Sequence, residues 1–118
     1  MTQHVRIHWG PIKGRRVLNF NWNAITRESV VHVTATEYKS HNKDNPYFGK
    51  ESAARWAGDA NIWVSNISPH GPSSDPNLGV TFVVHVDWDN PLPIVTDITV
   101  FDELPVDVQF MPDAVRFG

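Results

Sequence analysis

The side chains of this chain best equipped for recognition are its aromatic and planar polar groups: 5 tryptophans, 6 histidines and 13 carboxylates in 118 residues, with no cysteine among them. The missing thiol removes a cysteine nucleophile, a Cys-based zinc site and a disulfide framework at once. Trp63 carries the clearest signal. It shares its side of a short alternating run with Asn61 and Ser65, while Ile62 and Val64 take the other side, so its indole is expected to face water. A solvent-facing indole flanked by amides and carboxylates offers a sugar ring an apolar platform and paired hydrogen bonds for its hydroxyls. The same exposed indole equally marks a subunit interface.

Trp56 and Asp59 lie in the longest connection of the chain, which also contains His41 and Tyr47; Asp89 and Asn90 open a proline-closed turn further on. A long connection of this kind is more often a binding loop than a plain link. The expected ligand-binding set is therefore Trp56, Asp59, Trp63, Asp89, Asn90, Tyr47 and His41. The alternative reading of the same residues is structural, with Trp56 capping the open end of the core and the acids solvated in turns.

Histidine chemistry is constrained by strand geometry. His4 and His8 are about 13 Å apart if their segment is extended, too far to share one zinc ion. His32 and His85 would have to meet across strands, with Asp87 as a further ligand, and nothing in the spacing fixes that adjacency. Asp87, Asp89 and Asn90 lack the glycine and terminal glutamate of a calcium loop. No metal and no cofactor is expected. The chain has no nucleophile elbow, phosphate-cradling glycine loop or zinc-protease helix motif. His85 and Asp87, in phase on one strand, form the only acid–base pair worth carrying, and they make a small enzyme the third-ranked reading.

The elements that must position these groups are strands. Period-two alternation bounded by Gly, Pro, Asn and Asp recurs in about seven segments, the pattern of antiparallel sheets with one dry face. Leu18, Phe20 and Trp22 oppose Asn19, Asn21 and Asn23. Val31, Val33 and Ala35 oppose His32, Thr34 and Thr36. Val80, Phe82, Val84, Val86 and Trp88 oppose Thr81, Val83, His85 and Asp87, with Val83 hinting at a partly covered second face. Trp9, Trp22 and Trp88 are accordingly expected in the core. Val106, Val108 and Phe110 are expected to close it as a last strand. Ser52 as cap, Ala53, Ala54 and Ala57 as helix formers and Gly58 as terminator predict a short helix in the long loop. The stretch after Ile67 is too rich in Pro, Gly and Ser for regular structure.

The expected fold is thus all-β: an antiparallel β-sandwich, jelly-roll or Ig-like, forming one domain over residues 1–118 with one short helix in a long loop. Loop parity gathers the turn at Gly10 to Gly14, the long connection and Asp89 to Pro93 at one end. A net charge of −3, with a basic cluster only at Lys13, Arg15 and Arg16, argues against nucleic acid. No apolar run approaches a membrane span and the first residues lack a signal-peptide pattern, which predicts a cytoplasmic or leaderless-secreted protein. The leading functional expectation is a non-catalytic binding module, lectin-like, gripping a glycan or small polar ligand. A self-associating protein, pairing through edges or through the face with Asn19, Asn21, Asn23 and Thr81, is the alternative.

Overall fold

A computed structural model describes residues 2–39, 54–101 and 107–111. Among the described residues are seven strands, β1 (Thr2–Ile12), β2 (Gly14–Asn21), β3 (Val30–Lys39), β4 (Ala54–Trp56), β5 (Asn61–His70), β6 (Gly79–Asp87) and β7 (Leu92–Phe101). They form two antiparallel sheets, ordered β1-β7-β3-β4 and β2-β6-β5. The chain passes from one sheet to the other at Lys13, so β1 and β2 form a corner rather than a hairpin.

The dry faces are those read from the alternation. Val31 and Val33 of β3, Val80, Phe82, Val84 and Val86 of β6, and Ile94, Ile98 and Val100 of β7 are buried in one cluster, against which Leu18, Phe20, Trp9 and Trp22 pack. The central strands of both sheets thus supply most of the core. Thr96 is the polar intruder on the β7 dry face; fully buried, it accepts a 2.7 Å hydrogen bond from the indole nitrogen of Trp9. Trp9 also meets the Phe82 ring edge-on, centroids 6.2 Å apart. Gly10, at a φ of 79°, lets β1 shift register against β7 between His8 and Gly10, a left-handed conformation that L side chains resist.

Four expectations are corrected. No helix follows Ser52: Ser52 and Ala53 lie outside the described residues, and Ala54–Trp56 is an edge strand paired with Glu37–Lys39. Sheet pairing here overrides the helix preference of alanine. Trp88 is 43% exposed, because β6 ends at Asp87 and the alternation no longer governs the turn beyond it. Val108 and Phe110 are more than four-fifths exposed and form no strand; Val106 lies outside the described residues. β5 runs on through Ser68, Pro69 and His70, resuming its pairing with β6 after a bulge at which Asn66 adopts a φ of 55°. Among the described residues no helix is long and apolar enough to cross a membrane.

The open face of the four-stranded sheet is tied by a charge network. Asp97 of β7 accepts bonds from Arg6 of β1 (2.6 and 2.9 Å) and from Arg55 of β4 (2.9 Å), and Arg55 also donates to Thr34 of β3 at 2.7 Å. The Arg6 hydrogen bonds, and then those of Arg55, outweigh desolvation and hold the Asp97 carboxyl below its ordinary range. A carboxyl that titrates lower in the folded state contributes stability above its unfolded pKa and loses it as pH falls through the folded value. Asp97→Asn is expected to cost about 1 kcal/mol at neutral pH, since these groups are partly exposed. Urea melts of variant and parent should converge in acid, once the parent carboxyl is protonated.

Candidate functional site

The register shows which loops share an end. In one sheet Ile12 faces Leu92 and Glu37 faces Ile94; in the other Gly14 faces Val86 and Asn61 faces Asp87. The β1–β2 corner, the end of β3 with β4, the start of β5 and the β6–β7 turn therefore gather together. At this end a cleft of about 410 Å³ opens between the two sheets. Thr36 and Glu37 of β3 form one wall, Asn61, Ile62 and Trp63 of β5 the other, and Ala57, Gly58 and Ala60 the base between them.

Trp63 is 48% exposed. One face of its indole is stacked on the imidazole of His85, centroids 4.7 Å apart and planes within 5°. His85 is itself fixed by a 2.7 Å bond between Nε2 and Ser65 Oγ. The indole is thus held rigidly from below, which spares a ligand the entropy of ordering it. Trp56, also exposed, lies behind Gly58 and has the Lys39 ammonium 5.3 Å from its ring centroid.

Glu37 is the residue that sequence reasoning passed over. Val31, Val33, Ala35 and Glu37 are in phase on β3, so the period that buries the valines also draws a carboxylate into the dry row; an acid in that phase was the available signal. Glu37 is 6% exposed and lines the cleft. A Cβ at position 58 would overlap its Oε1 and come within 3.1 Å of Trp56, so only glycine leaves room for both side chains here. Burial, and secondarily the negative charge of Asp59, push the Glu37 carboxyl above its ordinary range.

A carboxyl whose folded pKa is raised loses stability as pH climbs through that window: the penalty of ionising it is absent below the unfolded pKa and complete above the folded one. Glu37→Gln is therefore expected to raise the melting temperature at neutral pH and leave it unchanged in acid, as thermal melts across the pH range would read. An unchanged difference at every pH contradicts the burial of an ionising carboxyl.

Of the residues singled out from sequence, Trp63 lines the cleft, while Trp56 and Asp59 flank it through Gly58 and Glu37. Asp89 and Asn90 are exposed in the β6–β7 turn at the same end, outside the cleft lining. His41 and Tyr47 lie outside the described residues. His85 supports Trp63, and Asp87 is exposed on the open face of the three-stranded sheet. Among the described residues no group of three His, Asp or Glu side chains is placed to hold a metal ion.

Two other hollows differ in chemistry. One of about 480 Å³ at the opposite end is lined by Asn21, Trp22, Asn23, Pro76, Asn77 and Leu78, and its indole is packed against the core. The other, of about 310 Å³, is bordered by the Arg6–Asp97 pair, which already satisfies itself. Among the described residues no buried side-chain nitrogen or oxygen lacks a hydrogen-bond partner, in these hollows or in the cleft. No protein-family model, curated protein or solved structure matches the chain.

Proposed function

We propose that this chain is a non-catalytic carbohydrate-binding module whose site is the cleft between Glu37 and Trp63. The observation that carries the reading is the half-exposed Trp63 indole, backed by His85, beside a cleft that Asn61 and Glu37 also line. The indole supplies a platform for the C–H face of a pyranose. The Asn61 amide supplies donors and an acceptor and the Glu37 carboxylate acceptors, while the Thr36 hydroxyl, whose proton goes to the Trp56 carbonyl at 3.3 Å, can accept. The volume falls within the range of small-ligand sites. We also read the strand order as a jelly roll, since the first strand pairs with the last and the second with the next to last; lectins are one of several uses of that fold, so the analogy adds little alone. The test is a glycan array followed by calorimetry on the hits. Binding of at least one oligosaccharide class is the expected result, and no binding across neutral, acidic and amino-bearing glycans removes the proposal.

Self-association is the second reading, favoured by a specific feature: Val17, paired with the buried Val83, and Trp63, paired with His85, are 54% and 48% exposed on the open face of the three-stranded sheet. The asparagine row on that face is already occupied. Asn19 Oδ1 accepts from Thr81 at 2.9 Å and lies 2.7 Å from His70 Nε2, and its amide nitrogen donates to Asn21 at 2.9 Å. Sedimentation separates the readings, because a strict monomer that binds glycan leaves this face without a partner copy.

A further inference from the structure

The side of the sandwich along which β1 and β2 run lacks a strand. Among the described residues each is an outer strand of its sheet, β1 held by β7 alone and β2 by β6 alone, and the two do not pair with each other. Their inward side chains are left half-covered. Leu18 and Phe20 of β2 are only partly buried, whereas Val80, Phe82 and Val84 on the neighbouring β6 are fully buried. On the open face Val17 is half-exposed as well. An edge of this length, with unpaired N–H and C=O groups and apolar side chains beside them, is a template for one more strand.

The segment after β7 has the pattern of such a strand and joins neither sheet. Val106, Val108 and Phe110 alternate with Asp107 and Gln109. The Gln109 amide donates to the Asp107 carboxylate at 3.0 Å, which puts those two side chains on one side of an extended backbone. Val108, Phe110 and Met111 are all at least 70% exposed. Laid antiparallel on β2 with Phe110 opposite Leu18, the segment sets Val108 against Phe20 on the dry side. On the open face the same register sets Met111 against Val17 and Gln109 against Asn19, so apolar meets apolar and amide meets amide. The charges agree. Residues 102–113 carry Asp102, Glu103, Asp107 and Asp113 with no base, while residues 13–21 carry Lys13, Arg15 and Arg16 with no acid. We infer that residues 106–111 add as a strand to the free β2 edge of a second copy of this chain, so that two copies exchange segments. The exchange is independent of the carbohydrate reading, because β5, which carries Trp63, is the opposite edge of that sheet and the cleft stays open.

The test is sedimentation velocity of the intact chain over a concentration series, and a dimer that forms as concentration rises is the expected result. Phe110→Asp and Val17→Asp, both at exposed positions, should each weaken that dimer about tenfold or more while leaving the melt of the dilute chain unchanged. The absence of cysteine lets single thiols report the register: chains with Val17→Cys and chains with Met111→Cys, mixed and oxidised, should yield chiefly the mixed disulfide. A monomer at every concentration overturns the exchange, and if it binds glycan the carbohydrate proposal still stands. A dimer that Phe110→Asp leaves intact also overturns it. So does a chain with both thiols that closes on itself at concentrations where the parent is dimeric, since the segment would then return to its own β2.

Discussion

Phe82→Ala is expected to remove about 3–5 kcal/mol of stability, the usual cost of emptying a fully buried aromatic site. Phe82 has no exposed surface, sits near the middle of the central strand of its sheet and meets Trp9 edge-on. Its partners come from both sheets, so the vacated volume cannot be closed by moving one strand alone. Small domains have only about 5–15 kcal/mol in total, and a loss of this size corresponds to a fall of roughly 10–20 °C in melting temperature. Val17→Ala, at a position 54% exposed on the same sheet, is the matched control and should stay within about 0.5 kcal/mol of the parent. Equal melting of the two variants would mean that the sheets do not pack through Phe82.

Trp63→Ala should reverse that profile, leaving the fold nearly intact and lowering glycan affinity by tenfold to a hundredfold, about 1.4–2.7 kcal/mol. The indole is half-exposed, so its removal forfeits little core packing, and the Ser65–His85 bond that anchors its support survives. Trp63→Phe keeps an apolar ring on His85 and should fall between the two. The separation is diagnostic: a tryptophan that merely covers the core would lose stability and binding in proportion. Retained affinity in Trp63→Ala, with an unchanged melt, would place any ligand elsewhere.

The Glu37 carboxyl joins these energetics to function. Pushed above the ordinary range by burial and then by Asp59, it opposes folding as pH rises through its folded pKa. Glu37→Gln should therefore gain stability at neutral pH while weakening ligand affinity, the trade expected of a binding group and not of a structural one.

The sandwich was legible because its long strands keep a strict two-residue period: Leu18, Phe20 and Trp22, or Val80, Phe82, Val84 and Val86, have one geometric solution once a dry face exists. Loop parity then followed from antiparallel pairing alone, and it gathered Trp56, Asp59, Asp89 and Asn90 at the end where the cleft opens, while the alternation of β5 singled out Trp63. What failed was local. Ala54–Trp56 is too short to declare a period, and its pairing with Glu37–Lys39 is a long-range choice that alanine propensity does not report. Trp88, Val108 and Phe110 continue an apolar rhythm past the point where hydrogen-bonded pairing supports it. Glu37 was in phase with its buried neighbours, yet the charge of a glutamate argues for the surface unless the phase is weighed above the residue type. The cleft itself depends on how far β3 and β5 stand apart, a distance no single segment encodes.

Whether this cleft binds glycan is tested most directly by a heteronuclear NMR titration of the chain with the oligosaccharides that score on the array and with glucose oligomers, followed through the backbone amides and tryptophan indole signals. Perturbations centred on Thr36, Glu37, Gly58, Asn61 and the Trp63 indole are expected. Perturbations confined to the Arg6–Asp97 face or to the hollow around Asn21 and Asn77, or no perturbation at saturating oligomer, would contradict the carbohydrate proposal.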